Sequence, residues 1–325
     1  MGYSVTVNSF FTEKYLNTIY DHQSPGYWHV LTCYFRRFFL LFSVQKYDLI
    51  IIEKEIFPYL PAFAELFLSK VNQYWVDYDD AVFHNYDQKD NFMVNLLMPK
   101  KIDHVMKMAN RVIVGNDYLK KRAEVAGAKK IEVFPTVIDP KKYKVKEDQS
   151  PFKTITIGWI GSPSTLKYLD PIVPILDWIH EHYSIKFLLV NGKSKMKFKG
   201  RIESIPWTED GEVEAILKMD IGIMPLPDNP WERGKCAYKL IQYMACGLPV
   251  VASPIGMNKD VVIHGENGFL ANSKEEWISA LGKLITDPQL RKEFGYKGRE
   301  KVLKEFTMEG NFYRYKKLVE LELGD

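Results

Sequence analysis

Gly234, Lys235, Lys239 and Gln242 lie in one stretch, GKCAYKLIQYMACGLPVVASP (Gly234–Pro254), whose residue types suit anion binding. Ala237, Leu240, Ile241 and Met244 repeat at i, i+3, i+4, i+7, the apolar stripe of a core-facing helix. Lys235, Lys239 and Gln242 take another face at i, i+4, i+7. A glycine at a helix start lets backbone approach a ligand, and the free N–H groups of the first turn attract anions. A lysine adds a point charge matched to phosphate. On this reading Lys235, at the phosphate end, outweighs Lys239 one turn further on. Two ordinary lysines on a solvated helix face give the same spacing. Gly247 is predicted to cap the helix, after which Leu248–Ser253 enters a sheet.

A second cradle is Gly158-Trp-Ile-Gly161-Ser162-Pro-Ser164-Thr165-Leu-Lys167. An apolar strand ends at Gly161, small hydroxyl residues follow, and a helix is expected to begin near Pro163–Thr165. Strand, turn and helix start together hold diphosphates. The stretch has no Walker pattern and no complete G-x-G-x-x-G, and plain N-capping by Ser162 or Ser164 also accounts for it. A third constellation, Tyr74-Trp-Val-Asp77-Tyr-Asp79-Asp80, ends an apolar run in carboxylates. Asp-x-Asp after a strand can hold Mn²⁺ or Mg²⁺ against a diphosphate, but this one is far from both cradles in sequence. Solvated loop acids, with His84 as a surface or capping residue, are the plain alternative.

The elements that must position these groups alternate. Asp48–Glu53 and Arg111–Gly115 in the first half, and Thr154–Ile160, Lys186–Val190, Asp220–Met224 and Leu248–Ala252 in the second, are short continuous apolar runs. Such runs mark strands buried on both faces, as in helix-covered parallel sheets. Helix-like segments lie between them, Asn116–Ala126 for example, with Asn116 as N-cap. A chain of 325 residues favours two domains, and the polar stretch Asp139–Pro151 marks their boundary. The expected fold class is α/β, two doubly wound Rossmann-like domains, which bind ligands at the carboxyl ends of their strands.

Bulk properties exclude several classes. A net charge of +3 is too small for a dedicated nucleic-acid binder. The three cysteines form no CxxC, so neither a disulfide framework nor a zinc site is expected. No apolar run reaches the roughly 18–20 residues of a membrane span, and the start has no signal-peptide pattern. Met1-Gly loosely matches an N-myristoylation motif, but Val5-Thr-Val reads as the interior of a first strand. A cytoplasmic protein is expected.

Five segments in order resemble the C-terminal domain of retaining GT-B glycosyltransferases, the group 1 (family 4) set. They are Gly158-Trp-Ile-Gly-Ser, Asp220-Ile-Gly-Ile-Met-Pro-Leu, Gly234-Lys-Cys-Ala-Tyr-Lys, Tyr243-Met-Ala-Cys-Gly-Leu-Pro-Val-Val-Ala-Ser and Gly265-Glu-Asn-Gly-Phe-Leu. A weaker likeness runs through Asp79-Asp80, Val112–Asn116 and Phe134–Asp139 in the first half. The resemblance implies a GT-B fold: an acceptor-side domain over 1–145, a nucleotide-sugar domain over 146–305, and a C-terminal helix, 306–325, packing back toward the first domain. It implies transfer with retention of anomeric configuration and no metal or other cofactor. Lys235 and Lys167 would stabilise the leaving diphosphate. Gly161, Ser162, Ser164, Thr165, Trp207, Glu232, Gly234, Lys239 and Gln242 would hold the donor, and Asp79, Asp80 and His84 the acceptor. Trp207, after the Ile205-Pro strand end, would stack on the base or fill core.

The chain departs from the family pattern at several points. Of the family's Glu-x7-Glu pair, the second maps onto Gln242 and the first onto Gly234, with Glu232 nearby but out of register. The family's Arg and Lys after the first strand of this domain become Ser162 and Lys167, and Lys235 is the expected substitute cation. The opening strand, Gly-rich turn and helix have no counterpart before Gly2-Tyr-Ser-Val-Thr-Val, so the first domain is expected to lack one βα unit. Lys193–Arg201 alternates cations, and Tyr34–Phe42 is both cationic and apolar. Both fit peripheral contact with an anionic membrane; a solvated loop, and a helix covering the first sheet with its arginines outward, are the preferred accounts. Two functions follow. One is transfer of a sugar from a nucleotide-diphosphate sugar to a glycan or lipid-linked acceptor in cell-surface polysaccharide or glycolipid synthesis. The other is a non-catalytic or truncated relative that binds nucleotide sugar or a partner enzyme.

Overall fold

The structure, a computed structural model, describes residues 2–20, 24, 26–88, 92–146, 154–190 and 197–324. They form two compact units. The first comprises Met1–Tyr78, Val82–Val114 and Leu119–Val133; the second comprises Asp79–Ala81, Gly115–Tyr118 and Phe134–Asp325.

The first unit is built on four strands, β1 (Ile50–Glu53), β2 (Tyr74–Tyr78), β3 (Arg111–Val114) and β4 (Ile131–Val133), all parallel and in sequence order. Tyr74, Trp75, Val76, Val112 and Val114 are fully buried, as their unbroken apolar runs require. Edge strand β1 instead alternates, with Ile52 buried and Ile51 exposed.

The segment Val5-Thr-Val is not a strand. Val5 and Val7 are 80% and 83% exposed, and the backbone acceptors just beyond them are taken by arginines. Arg36 donates to the carbonyls of Ser9 and Phe10, and Arg37 to that of Asn8 at 2.9 Å. Guanidinium groups thus satisfy carbonyls that a sheet neighbour would otherwise meet. Both arginines lie on helix Tyr27–Leu40, which buries Cys33 and leaves Trp28, Leu31, Phe35, Phe38 and Phe39 exposed in an apolar stripe continued by Phe42. Among the described residues no helix is long and apolar enough to cross a membrane. Part of the cationic run Lys193–Arg201 lies outside the described residues.

The second unit carries six parallel strands: β5 (Ile155–Ile160), β6 (Ile185–Val190), β7 (Ile202–Ile205), β8 (Ile221–Met224), β9 (Val250–Ala252) and β10 (Gly268–Leu270). Their order is β10-β9-β8-β5-β6-β7. Trp159, Phe187, Leu189, Ile223, Val251 and Leu281 belong to one core beneath helices Val173–His182 and Lys274–Thr286. Helix Tyr238–Ala245 ends as its glycine predicts. Gly247 is left-handed at φ +74, its N–H reaches Met244 O at 2.9 Å, and Leu248 N–H reaches Tyr243 O at 3.0 Å. No side chain fits on Gly295, because its Cβ would overlap the carbonyl of Gly247; helix Pro288–Glu305 is therefore pressed directly onto that turn.

Residues just before the undescribed 147–153 pack tightly. Tyr143 is buried, and Lys146 N–H donates to Cys246 O at 3.0 Å. The Lys146 ammonium meets Asp220 Oδ1 at 2.7 Å with both side chains buried, and Asp220 Oδ2 accepts from Thr156 N–H at 2.8 Å. This pair fastens the incoming chain to the amino ends of β5 and β8. Breaking a buried pair strands a charge, at about 3–5 kcal/mol. Asp220→Ala is expected to lose that much in denaturant unfolding, whereas Lys146→Met with Asp220→Asn should lose clearly less. Equal losses would mean that the pair itself contributes little.

Candidate functional site

Strand β5 is the switch point of the second sheet: the chain leaves it for β6 and β7 on one side and then crosses over to β8 on the other. Ligands bind at such a place, outside the carboxyl ends of the strands. β5 stays paired to its last residues, with Ile160 N–H on Tyr243 Oη at 2.9 Å and Gly161 N–H on Val190 O at 3.2 Å. The chain then turns into a helix where one was expected to begin, a 3₁₀-helix over Pro163–Leu169. Ser162 makes no side-chain capping bond. Its hydroxyl lies 3.0 Å from Ser164 Oγ and 3.4 Å from Thr165 Oγ1, and the latter donates to Ser162 O at 2.9 Å. Three small hydroxyls are therefore gathered at the exposed end of a buried strand.

The facing segment differs from the expected helix start. Helix Tyr238–Ala245 begins four residues after Gly234. Its N-cap, Ala237, is left-handed at φ +54, a conformation that L-residues adopt at a cost. Gly234 is not in the first helical turn and offers no backbone to a ligand. It closes the short helix Pro230–Arg233, and a Cβ on it would lie 2.5 Å from the Cβ and 2.9 Å from the N of Ala81. The side chain of Asn116 ties this turn down, donating to Gly234 O at 2.8 Å. The glycine is required by crowding, which also explains why no glutamate stands there.

The two lysines are unlike. Lys235 Nζ pairs with Asp80 Oδ1 at 3.2 Å. Lys239 Nζ lies 4.3 Å over the ring of fully buried Trp159, and only 2.6 Å from where a Cβ on Gly161 would stand. Burial, reinforced by nearby Lys235, pushes its pKa down to about 7. Lys239, ranked second from helix position, is thus the lysine that reaches the strand-end cradle. Lys167 is exposed on the 3₁₀-helix, its ammonium 5.6 Å from the ring of Tyr168. Tyr168 donates to the buried carboxylate of Glu232 at 2.6 Å, and burial and that carboxylate raise the phenol's pKa.

Gln242 is buried in a polar group that residue order did not suggest. Its Nε2 donates to Tyr143 Oη at 3.1 Å, and Tyr143 donates to Glu212 Oε1 at 3.0 Å. Trp207, 45% exposed, donates from its indole to Glu212 Oε2 at 3.2 Å, and Lys142 approaches the same carboxylate at 3.3 Å. Trp207 is neither filling core nor free. Trp159, Tyr168, Tyr143 and Glu212 escaped the sequence reading, because an apolar strand residue and three scattered polar ones carry no spacing signal.

The expected acceptor residues are divided between the units. Asp79 and Asp80 belong to the second, where Asp79 O accepts from Cys236 Sγ at 3.0 Å. Burial and the two aspartates push that thiol's pKa up to about 12, so it is inert as a nucleophile. His84, in the first unit, is buried, with Nδ1 2.7 Å from Asp87 Oδ1, a carboxylate shared with Arg122 at 2.9 Å. It is an interior residue of that unit, not a surface one. Among the described residues no group of three or more His, Cys, Asp or Glu is placed to hold a metal ion.

Residues 154–287 match the family Glycosyl transferases group 1. An uncharacterized glycosyltransferase of Methanocaldococcus jannaschii is 35% identical over 94 residues, 28% of this chain and 24% of that protein; the match thus spans about a quarter of the relative. Sucrose-phosphate synthase from Thermosynechococcus elongatus superposes with a TM-score of 0.71 at 18% identity, covering 90% of this chain and 78% of that one. HepE of Anabaena, solved with UDP and glucose, superposes with a TM-score of 0.67 at 16% identity, covering 87% and 80%. The chain has the two-domain GT-B architecture, and its residues 154–287 are similar to the group 1 glycosyltransferases.

Proposed function

We propose that this chain is a retaining glycosyltransferase whose second unit binds a nucleotide-diphosphate sugar at the carboxyl end of β5. The observation that carries the reading is the junction itself. Gly161, the hydroxyls of Ser162, Ser164 and Thr165, and the ammonium of Lys239 converge at the switch point of a parallel sheet. Hydroxyl donors and a cation together suit a diphosphate. UDP is the natural first probe, because the similarly folded HepE was solved with it.

In the proposed reaction an acceptor hydroxyl forms the new bond to the anomeric carbon while the bond to the diphosphate oxygen breaks. The departing phosphate takes the hydroxyl proton. Charge stabilisation on the leaving group therefore matters more than a strong base, and Lys235 and Lys167 join Lys239 in that role without a divalent ion. Gln242 and Trp207, linked through Tyr143 and Glu212, face the nucleoside in this reading. Asp79 and Asp80 serve the acceptor, a glycan or lipid-linked sugar. The lipid-linked choice and peripheral membrane contact are supported by the exposed Trp28-to-Phe42 stripe, whose composition suits an interface. Cell-surface polysaccharide or glycolipid synthesis is the matching setting.

The test is donor turnover with UDP-sugars, and with other nucleotide sugars in parallel, in EDTA, with the product anomer assigned by NMR. Retention without added metal is expected. An inverted product, or turnover only with Mn²⁺ or Mg²⁺, overturns the mechanism. Binding of nucleotide sugar with no turnover on any acceptor would point to the non-catalytic relative. Lys235→Ala is expected to lower kcat/KM by about 10- to 100-fold, while Asp79→Asn mainly raises the acceptor KM.

Gly234→Glu, which restores the family's glutamate, is expected to harm the protein. Its side chain would start 2.5 Å from Ala81, an overpacking that costs about 1–3 kcal/mol. Thermal unfolding should show the loss, and unchanged stability with improved turnover would refute the crowding argument.

A further inference from the structure

Of the two lysines beside the β5 cradle, only one has a counter-charge. Lys235 has Asp80. Lys239 contacts Trp159 and neighbours Lys235, and among the described residues it has no carboxylate and no hydrogen-bond acceptor. The titratable groups on the surrounding elements do not supply one. On the preceding turn and segment stand Lys235 and Asp80, bound to each other; on helix Pro230–Arg233, Glu232 is engaged by Tyr168; on the 3₁₀-helix, Lys167 adds positive charge; on the lysine's own helix, Tyr243 is turned to Ile160.

A half-buried ammonium beside another cation is penalised in its charged form. In the free protein that penalty is complete at low pH, where the lysine is forced to carry its proton. It fades as pH rises above about 7 and the folded group becomes neutral. A dianionic group at Gly161 would reverse the preference, because Lys239 Nζ is only 2.6 Å from where a Cβ on that glycine would stand.

We propose that Lys239 is the proton-coupled anchor of the donor diphosphate: it binds as ammonium and, at neutral pH and above, takes up a proton from solvent as the diphosphate enters. The proposal rests on the donor-site reading above and adds a pH control to it. Affinity should be greatest where Lys239 is already charged and should fall as pH rises. The diphosphate's own last ionisation, near pH 6, runs in the opposite sense and is common to every variant.

Calorimetric titration of the full chain with UDP, GDP and ADP, in two buffers of different ionisation enthalpy, measures the proton count directly. At pH 7.5 wild type is expected to take up about 0.7 proton more than Lys239→Arg, whose guanidinium is always charged. Between pH 6 and 8 the affinity of wild type relative to Lys239→Arg should fall by about tenfold. Lys239→Met should bind weakly at every pH. If it does not fold, as judged by thermal unfolding, the arginine variant alone decides. Equal proton uptake in wild type and Lys239→Arg, or wild-type affinity in Lys239→Met, overturns the inference while leaving the donor site standing. No binding of any diphosphate removes the donor-site reading and this inference with it.

Discussion

Strand β5 is hydrogen-bonded on both edges and buried along its whole length, so its chain can meet solvent only at its ends. At the amino end the demand is met by Asp220, which accepts the Thr156 N–H and holds Lys146. At the carboxyl end it is met by Tyr243 and Val190, which accept from Ile160 and Gly161. One strand therefore carries a closed electrostatic contact at one end and an open one at the other.

The helix that bears Lys239 is itself positioned from both sides. Before it, Asn116 and Ala81 fix the turn at Gly234, and left-handed Ala237 redirects the chain. After it, the Gly247 turn is held by helix Pro288–Glu305, and Arg299 donates to Ala245 O and Tyr143 O. Rigid support of this kind allows a lysine to stand over Trp159 rather than swing out to water. The Tyr143–Glu212–Gln242 group belongs to the same arrangement, because Tyr143 joins the chain leading toward β5 to Gln242, on the helix face that carries Lys239.

Much of this was legible in the residues. Continuous apolar runs located both sheets, since a strand covered on both faces leaves no room for polar alternation. Gly161 and Gly247 marked a strand end and a helix end because turn geometry leaves few alternatives. The errors share one cause: spacing records what neighbours in sequence can do and is silent on who arrives from afar. Val5-Thr-Val has the composition of a strand, but arginines on a helix take up the carbonyls beside it. Gly234 looked like room for a ligand, and Ala81 fills that room. Lys235 looked like the free cation until Asp80 was placed beside it, and Lys239 gained its importance because the described residues offer it no counter-charge. An absent counter-charge leaves no mark in a sequence.

The meeting of Gly295 with Gly247 carries a consequence for how this chain can vary over time. The carbonyl of one glycine occupies the place of the other's missing side chain, so no enlargement at 295 can be offset by a reduction at 247, which is already the smallest residue and is left-handed. Most core positions can drift in compensating pairs, and this pair cannot. Lineages descending from such a protein would be free to rewrite the lysines, the hydroxyls and the loops around them while these two positions stayed frozen. The narrowest spot in the fold is then also its slowest clock.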